Sequence, residues 1–171
     1  MTIAHIRQSI EGAIKFFSEH PEQALAMDKA ATAVIEQGLR CKVEGPNGAV
    51  LISDMPTDIG GGGTAPTPGW LMRAALASCD ATLIAMRAAQ LGIVLTRLEV
   101  RVEGQSDHRG LLGVEDTVPA GPLCIRLHVL IAAADASAEQ LHQIVEWAES
   151  HSPVGDALRR AVPSTTRIEI A

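Results

Sequence analysis

The chain has 171 residues, 47% of them hydrophobic, which suits a single globular fold with a sizeable core. Fourteen Lys and Arg against twenty Asp and Glu leave a net charge of −6, and no basic run supplies the cationic footprint that a phosphate backbone needs, so nucleic acid is not an expected partner. Arg7, Glu11 and Lys15 interrupt the apolar residues of MTIAHIRQSIEGAIKFF and no run approaches membrane-spanning length, so neither a signal peptide nor a membrane anchor is expected, and the cytoplasm is the expected compartment.

Residues 3 to 30 read as helical, with Ile6, Ile10, Ile14 and Phe17 on one face and Pro21 opening a second short helical piece. Residues 1–31 therefore read as an N-terminal helical extension and 32–171 as the main domain. From about Thr32 the period changes: Leu39, Cys41 and Val43 alternate with Arg40, Lys42 and Glu44, GPNG at 45–48 makes a turn, and AVLIS resumes an extended run. That is a hairpin. DIGGGGTAPTPG at 58–69 lacks the Lys-Ser/Thr of a phosphate loop and the strand context of a dinucleotide fold, and it reads as a mobile linker. Thr67 and Pro68 fit an N-cap and first helical position and Gly92 a stop, which predicts one helix from about Pro68 to Leu91.

Further on, Val94, Leu98, Val100 and Val102 alternate with Arg97, Glu99, Arg101 and Glu103, and Leu123, Ile125, Leu127, Val129 and Ile131 alternate with Cys124, Arg126 and His128. Two half-buried antiparallel strands follow from this. Ser137 with Gln140 forms a capping box ahead of Leu141, Ile144, Val145 and Ala148, so a helix should run to about Glu149. Ser152 and Pro153 open a short helix, and TTRIEIA closes the chain as a strand.

Three cysteines, Cys41, Cys79 and Cys124, form no CxxC pair and no zinc-spaced cluster, so reduced thiols, with no structural metal and no cofactor, are the expectation. Cys79 lies among Met72, Ala75, Leu76, Thr82, Leu83 and Met86 on an apolar face, while Arg73, Asp80 and Arg87 share a different stripe. Taken alone, such a thiol is either a small core hydrophobe or a reactive group.

The runs PTPGWLMRAALASCDATLIAMRAAQLGI, LTRLEVRVEGQSDHRGLLG and AEQLHQIVEWAESHSPVGDAL resemble, in that order, the OsmC/Ohr family of small thiol-dependent peroxidases acting on organic hydroperoxides. The resemblance covers roughly residues 32–171. It implies an α+β fold with antiparallel sheets, a central buried helix carrying the peroxidatic cysteine, and an intertwined homodimer. Cys79 matches that cysteine. The family's resolving cysteine precedes Pro-Val at a helix start, where this chain has Ser152, and its carboxylate ten residues before the cysteine is replaced by Gly69. The arginine that the carboxylate holds matches Arg40 in GLRCK.

Serine cannot form a disulfide with a sulfenic acid, so the resemblance leaves two readings. One is a peroxidase in which a hydroperoxide oxidises Cys79 and an external thiol reductant restores it. The other is a non-catalytic protein that holds a small apolar ligand in the dimer cavity. Ser152 is equally well explained as a helix cap. Cys41, on the core side of its strand, is the thiol to consider for a displaced resolving role, and Cys124 shares a polar face. His151 and His108 are acid/base candidates with no placed partner.

Overall fold

In the computed structural model, which describes residues 2–170, the isoleucine row of the N-terminus forms α1 (Ile3–Glu19). Met1 and Ala171, the outermost residues of the expected extension and closing strand, lie outside the described residues. Pro21 sets a single 3-10 turn over Pro21–Gln23, and residues 24–31 carry no regular structure, so the helical reading of residues 3 to 30 extends too far. A proline ends the first helix, and a second would have to nucleate within a few residues. Leu25 and Met27, more than nine-tenths exposed, bring no packing to support one.

Two compact units are assembled from interleaved stretches of chain. The first takes residues 8–75 and 102–126, the second the residues up to Arg7, 76–101 and 127 onward. In the first unit, β1 (Thr32–Gln37) pairs with the alternating run around Cys41, which becomes β2 (Arg40–Glu44). The GPNG turn joins β2 to β3 (Val50–Ser53), with Cys41 opposite Ser53 and Glu44 opposite Val50. The result is an antiparallel meander in the order β1-β2-β3, one strand more than the expected hairpin. The residues of β1, TAVIEQ, hold two β-branched side chains in a row, Val34 and Ile35, rather than an alternation. Both are more than half exposed, as is Leu51 on β3, so β1 is open on both of its faces.

The glycine-rich stretch is not a slack linker. It winds around the buried carboxylate of Asp54: Oδ1 accepts the N–H groups of Met55 (2.8 Å) and Gly62 (3.2 Å), and Oδ2 accepts the N–H (3.1 Å) and hydroxyl (2.8 Å) of Thr64. The glycines let the backbone curl tightly enough for three amides to converge on one side chain. These donors, those of Thr64 foremost, hold the Asp54 carboxyl down from the ordinary 3.8 to about 2.

In the second unit, α2 (Pro68–Gln90) contributes Ile84 and Ala88, and α4 (Ala138–His151) contributes Ile144 and Ala148, to a fully buried cluster. Side chains of β4 (Leu95–Ser106) and β5 (Pro122–Ala133), Leu98, Val100, Val129 and Ile131 among them, pack against it. These two strands pair as the second antiparallel sheet. On β5 the alternation read from the sequence holds where Leu127 and Val129, both half-buried, are separated by exposed His128 and followed by exposed Leu130.

Two short helices complete the chain. One is α3 (His108–Leu111), for which the sequence carries no helical periodicity, and the other is α5 (Pro153–Arg159), which Ser152 and Pro153 predict. The closing strand expected over TTRIEIA is absent: residues 161–170 carry no regular structure, and Ile168 and Ile170 stand exposed. A strand exists only against a neighbour, and no described strand pairs with this segment.

The Asp54 cradle makes a prediction about acid stability. A carboxyl held near 2 in the fold and near its ordinary value when unfolded stabilises the fold above about pH 4, and that contribution is lost as pH falls through about 2. Asp54→Asn removes the charge and turns an amide donor toward Thr64. Urea unfolding should show the variant less stable than wild type at pH 6, with the gap closing between about pH 4 and 2. A gap that stays constant over that range would exclude the carboxylate as its origin.

Candidate functional site

The helix that carries Cys79 starts and stops as its sequence dictates. Trp70 N–H donates to the Thr67 hydroxyl at 3.2 Å, Pro68 takes the first position, and Gly92, at φ 74°, ends the helix with Ile93 N–H donating to the Ala88 carbonyl at 2.9 Å. The buried stripe of α2 runs through Leu76, Asp80, Ile84 and Ala88, each four residues from the last. Asp80 thus belongs to the core side rather than to a separate charged stripe with Arg73 and Arg87, and its Oδ1 has no hydrogen-bond partner among the described residues. Cys79, one residue earlier, is half-buried beside the stripe.

Opposite it, α4 opens on the expected capping box, the Ser137 hydroxyl accepting Gln140 N–H at 3.2 Å while Ser137 N–H donates to the Gln140 side chain at 2.9 Å. The helix ends at His151, and Ser152 turns the chain into α5. Ser152 is fully buried. Its Oγ accepts Gly155 N–H at 3.0 Å, the predicted cap, and donates to Cys79 Sγ at 3.3 Å. Cap and contact are one hydroxyl. The fit around Gly155 is close, since a Cβ there would lie 3.1 Å from Ser152 Oγ and 2.9 Å from Arg159 Nη1.

The corner is held from outside as well. The His151 ring stacks on Trp147 with centroids 4.0 Å apart, and its Nδ1 lies 2.7 Å from the Trp147 carbonyl and 2.9 Å from the Ser150 hydroxyl. Arg87 of α2 lies over the same indole at 4.8 Å, and Arg159 of α5 donates to the Glu149 carbonyl at 2.8 Å. His151 is therefore a bracing ring on the surface of this corner. The arginine over the indole could not be read in advance, because it comes from a different helix with no spacing to betray it.

Arg40, in the first unit, donates from Nη1 to the Thr64 hydroxyl at 2.8 Å and approaches Glu36 at 3.5 Å. Thr64 in turn donates to Asp54, so the guanidinium braces the glycine-rich loop. Gly69 sits in the first turn of α2, and a Cβ there would find its nearest neighbours, Arg73 Nη1 and Thr67 Oγ1, at 3.9 Å. Glycine is not required at this position. Cys41 and Cys124 are free thiols, the latter with its sulfur 3.9 Å from Gln105 Oε1. His108 opens α3 behind its cap Asp107.

A model of the OsmC-like protein family matches residues 60–167, more than half of the chain. The chain belongs to the OsmC-like family. No curated protein matches it. Among solved structures it is similar to an OsmC-like protein from Mycoplasma pneumoniae, with a TM-score of 0.67, 17% identity, and coverage of 80% of this chain and 91% of that one. It is also similar to an organic hydroperoxide resistance protein, OsmC, from Legionella pneumophila (0.55, 22%, 79% and 91%) and to the organic hydroperoxide resistance protein OhrB of Bacillus subtilis (0.51, 19%, 79% and 93%). At these identities the likeness establishes the fold: α+β with antiparallel sheets, as the OsmC-like resemblance implied.

Ser152→Ala removes both bonds of the shared hydroxyl. Loss of the cap should cost about 1 kcal/mol in denaturant unfolding. Loss of the donor should slow alkylation of Cys79 by iodoacetamide at fixed pH, because the Ser152 O–H is the hydrogen-bond donor in contact with the sulfur. Faster alkylation would mean that the hydroxyl only shields the thiol.

Proposed function

We propose that this OsmC-like protein is a one-cysteine thiol peroxidase for small organic hydroperoxides. The observation that carries the reading is the 3.3 Å contact between Ser152 Oγ and Cys79 Sγ, which keeps a hydrogen-bond donor where a resolving thiol would stand. Names of the similar Legionella and Bacillus proteins support the substrate class. The Cys79 sulfur attacks one oxygen of the peroxide, forming an S–O bond as the O–O bond breaks and the alkoxide leaves, taking a proton, as an alcohol. Sulfur is oxidised to the sulfenic acid and the hydroperoxide is reduced. The Ser152 hydroxyl steadies the thiolate before attack and the sulfenate after it, but it holds no electrons to give. An external thiol therefore displaces water from the sulfenic acid to make a mixed disulfide, and a second thiol releases Cys79. Free thiols of this kind suit a reducing compartment such as the cytoplasm.

The working form in this proposal is an intertwined homodimer. The open strand of the first unit, with Val34 at 57% and Ile35 at 60% exposure, is the surface that a second copy would cover. Sedimentation at micromolar concentration should give a single dimeric species, and a stable folded monomer would refute this assembly.

The chemistry is tested by treating the protein with one equivalent of tert-butyl hydroperoxide and mapping the cysteines by mass spectrometry. Wild type should carry a dimedone-trappable sulfenic acid at Cys79 and regain the thiol on addition of a small thiol. Ser152→Cys should instead yield a disulfide between Cys79 and the introduced thiol, since two sulfurs starting near 3.3 Å need only a small approach to bond. An unmodified Cys79 in wild type would leave the protein without peroxidase function and favour the non-catalytic reading, in which a small apolar ligand occupies the dimer cavity.

A further inference from the structure

The first unit holds a cavity of about 500 Å³, a size typical of small-molecule sites, whose walls come from the loop after β3, the start of α2, the end of β4, α3 and the start of β5. Most of its lining is apolar, with Met55, Ile59, Met72, Leu111 and Pro122 as its main side chains. Among this lining stands one arginine, Arg73. Its aliphatic stem lies beside Gly104, where a Cβ would meet Arg73 Cδ at an ordinary packing distance of 3.6 Å. Its guanidinium has no hydrogen-bond or ion-pair partner among the described residues.

The other charged wall group is already answered. Asp107 caps α3 through Arg109 N–H and takes the Arg109 guanidinium on both oxygens, with Nε at 3.1 Å to each and Nη2 at 2.6 Å to Oδ2. That pairing, led by the side-chain bond from Arg109, holds its carboxyl at about 2. Arg73 is thus left as the uncompensated fixed charge of an apolar chamber, and a planar guanidinium in such surroundings is matched by a carboxylate, which it can bind with two parallel bonds. Two methionines on the wall adapt readily to an irregular or aromatic body.

We infer that this cavity binds a small organic anion, an apolar body carrying one carboxylate, with Arg73 as its charge partner. The site is independent of the sulfur chemistry: it binds its ligand unchanged, whether or not Cys79 turns over peroxide.

Isothermal titration of the full-length protein with 4-phenylbutyrate, against the neutral 4-phenylbutan-1-ol, tests this. The carboxylate should bind at least about tenfold more tightly than the alcohol, as expected for a charge-assisted pair out of bulk water. Arg73→Gln should bring the carboxylate down to the level of the alcohol and leave the alcohol unaffected. Gly69→Glu should do the same by a different route, because a carboxylate one helical turn before Arg73 occupies the guanidinium from within. Should Arg73→Gln fail to fold, Gly69→Glu carries the test. Equal binding of acid and alcohol, undiminished acid binding in both variants, or no binding of either probe by wild type would overturn the proposal.

Discussion

One hydroxyl proton organises the thiol site. Ser152 is buried completely, so both its lone pair and its proton must be used, and the geometry of a helix N-cap already commits the lone pair to the Gly155 amide. The proton is left to point at the nearest acceptor, the Cys79 sulfur. The turn between α4 and α5 therefore determines the electrostatics at a cysteine on another helix. Everything that fixes this corner acts on the thiol: the Trp147–His151 stack, Arg87 over the indole, and the tight clearance around Gly155. The buried contact of Ile84 and Ala88 with Ile144 and Ala148 sets the spacing of the two helices that bring sulfur and hydroxyl together.

Elements with a strong local code are legible in the sequence. The caps at Thr67, Ser137 and Ser152, the stop at Gly92 and the alternation through the middle of β4 and β5 appear where residue type and spacing place them, whereas β2 is half-buried on both faces and exposed Leu39 takes no core side. These signals need no partner beyond a few residues. The readings that fail depend on distant contacts. The isoleucines near the C-terminus have strand character but no described strand to join, and the segment after Pro21 has helix formers but nothing to pack on. No alternation announces β1, because a strand exposed on both faces has no reason to alternate.

The candidate site divides in the same way. The resemblance pairs Cys79 with residue 152, and the structure brings the two side chains into contact. The same resemblance assigns Arg40 to the thiolate; within its own unit its hydrogen bond goes to Thr64 and its ion pair to Glu36, and the Thr64 hydroxyl links it onward to the Asp54 carboxylate. A run of four glycines conceals that carboxylate. In sequence it reads as slack, while in space it is what lets three amides meet on one side chain.

Replacing sulfur by oxygen at residue 152 changes the chemistry in one direction only. A serine there preserves the cap and supplies a better hydrogen-bond donor than a thiol, so the reduced form of Cys79 loses nothing in stabilisation. The oxidised form loses its intramolecular exit. On the peroxidase reading proposed above, a sulfenic acid at Cys79 would wait for a reductant to reach a half-buried sulfur from the side that Ser152 does not cover. In the proposed peroxidase cycle that open face of the half-buried sulfur is the one route left for regeneration.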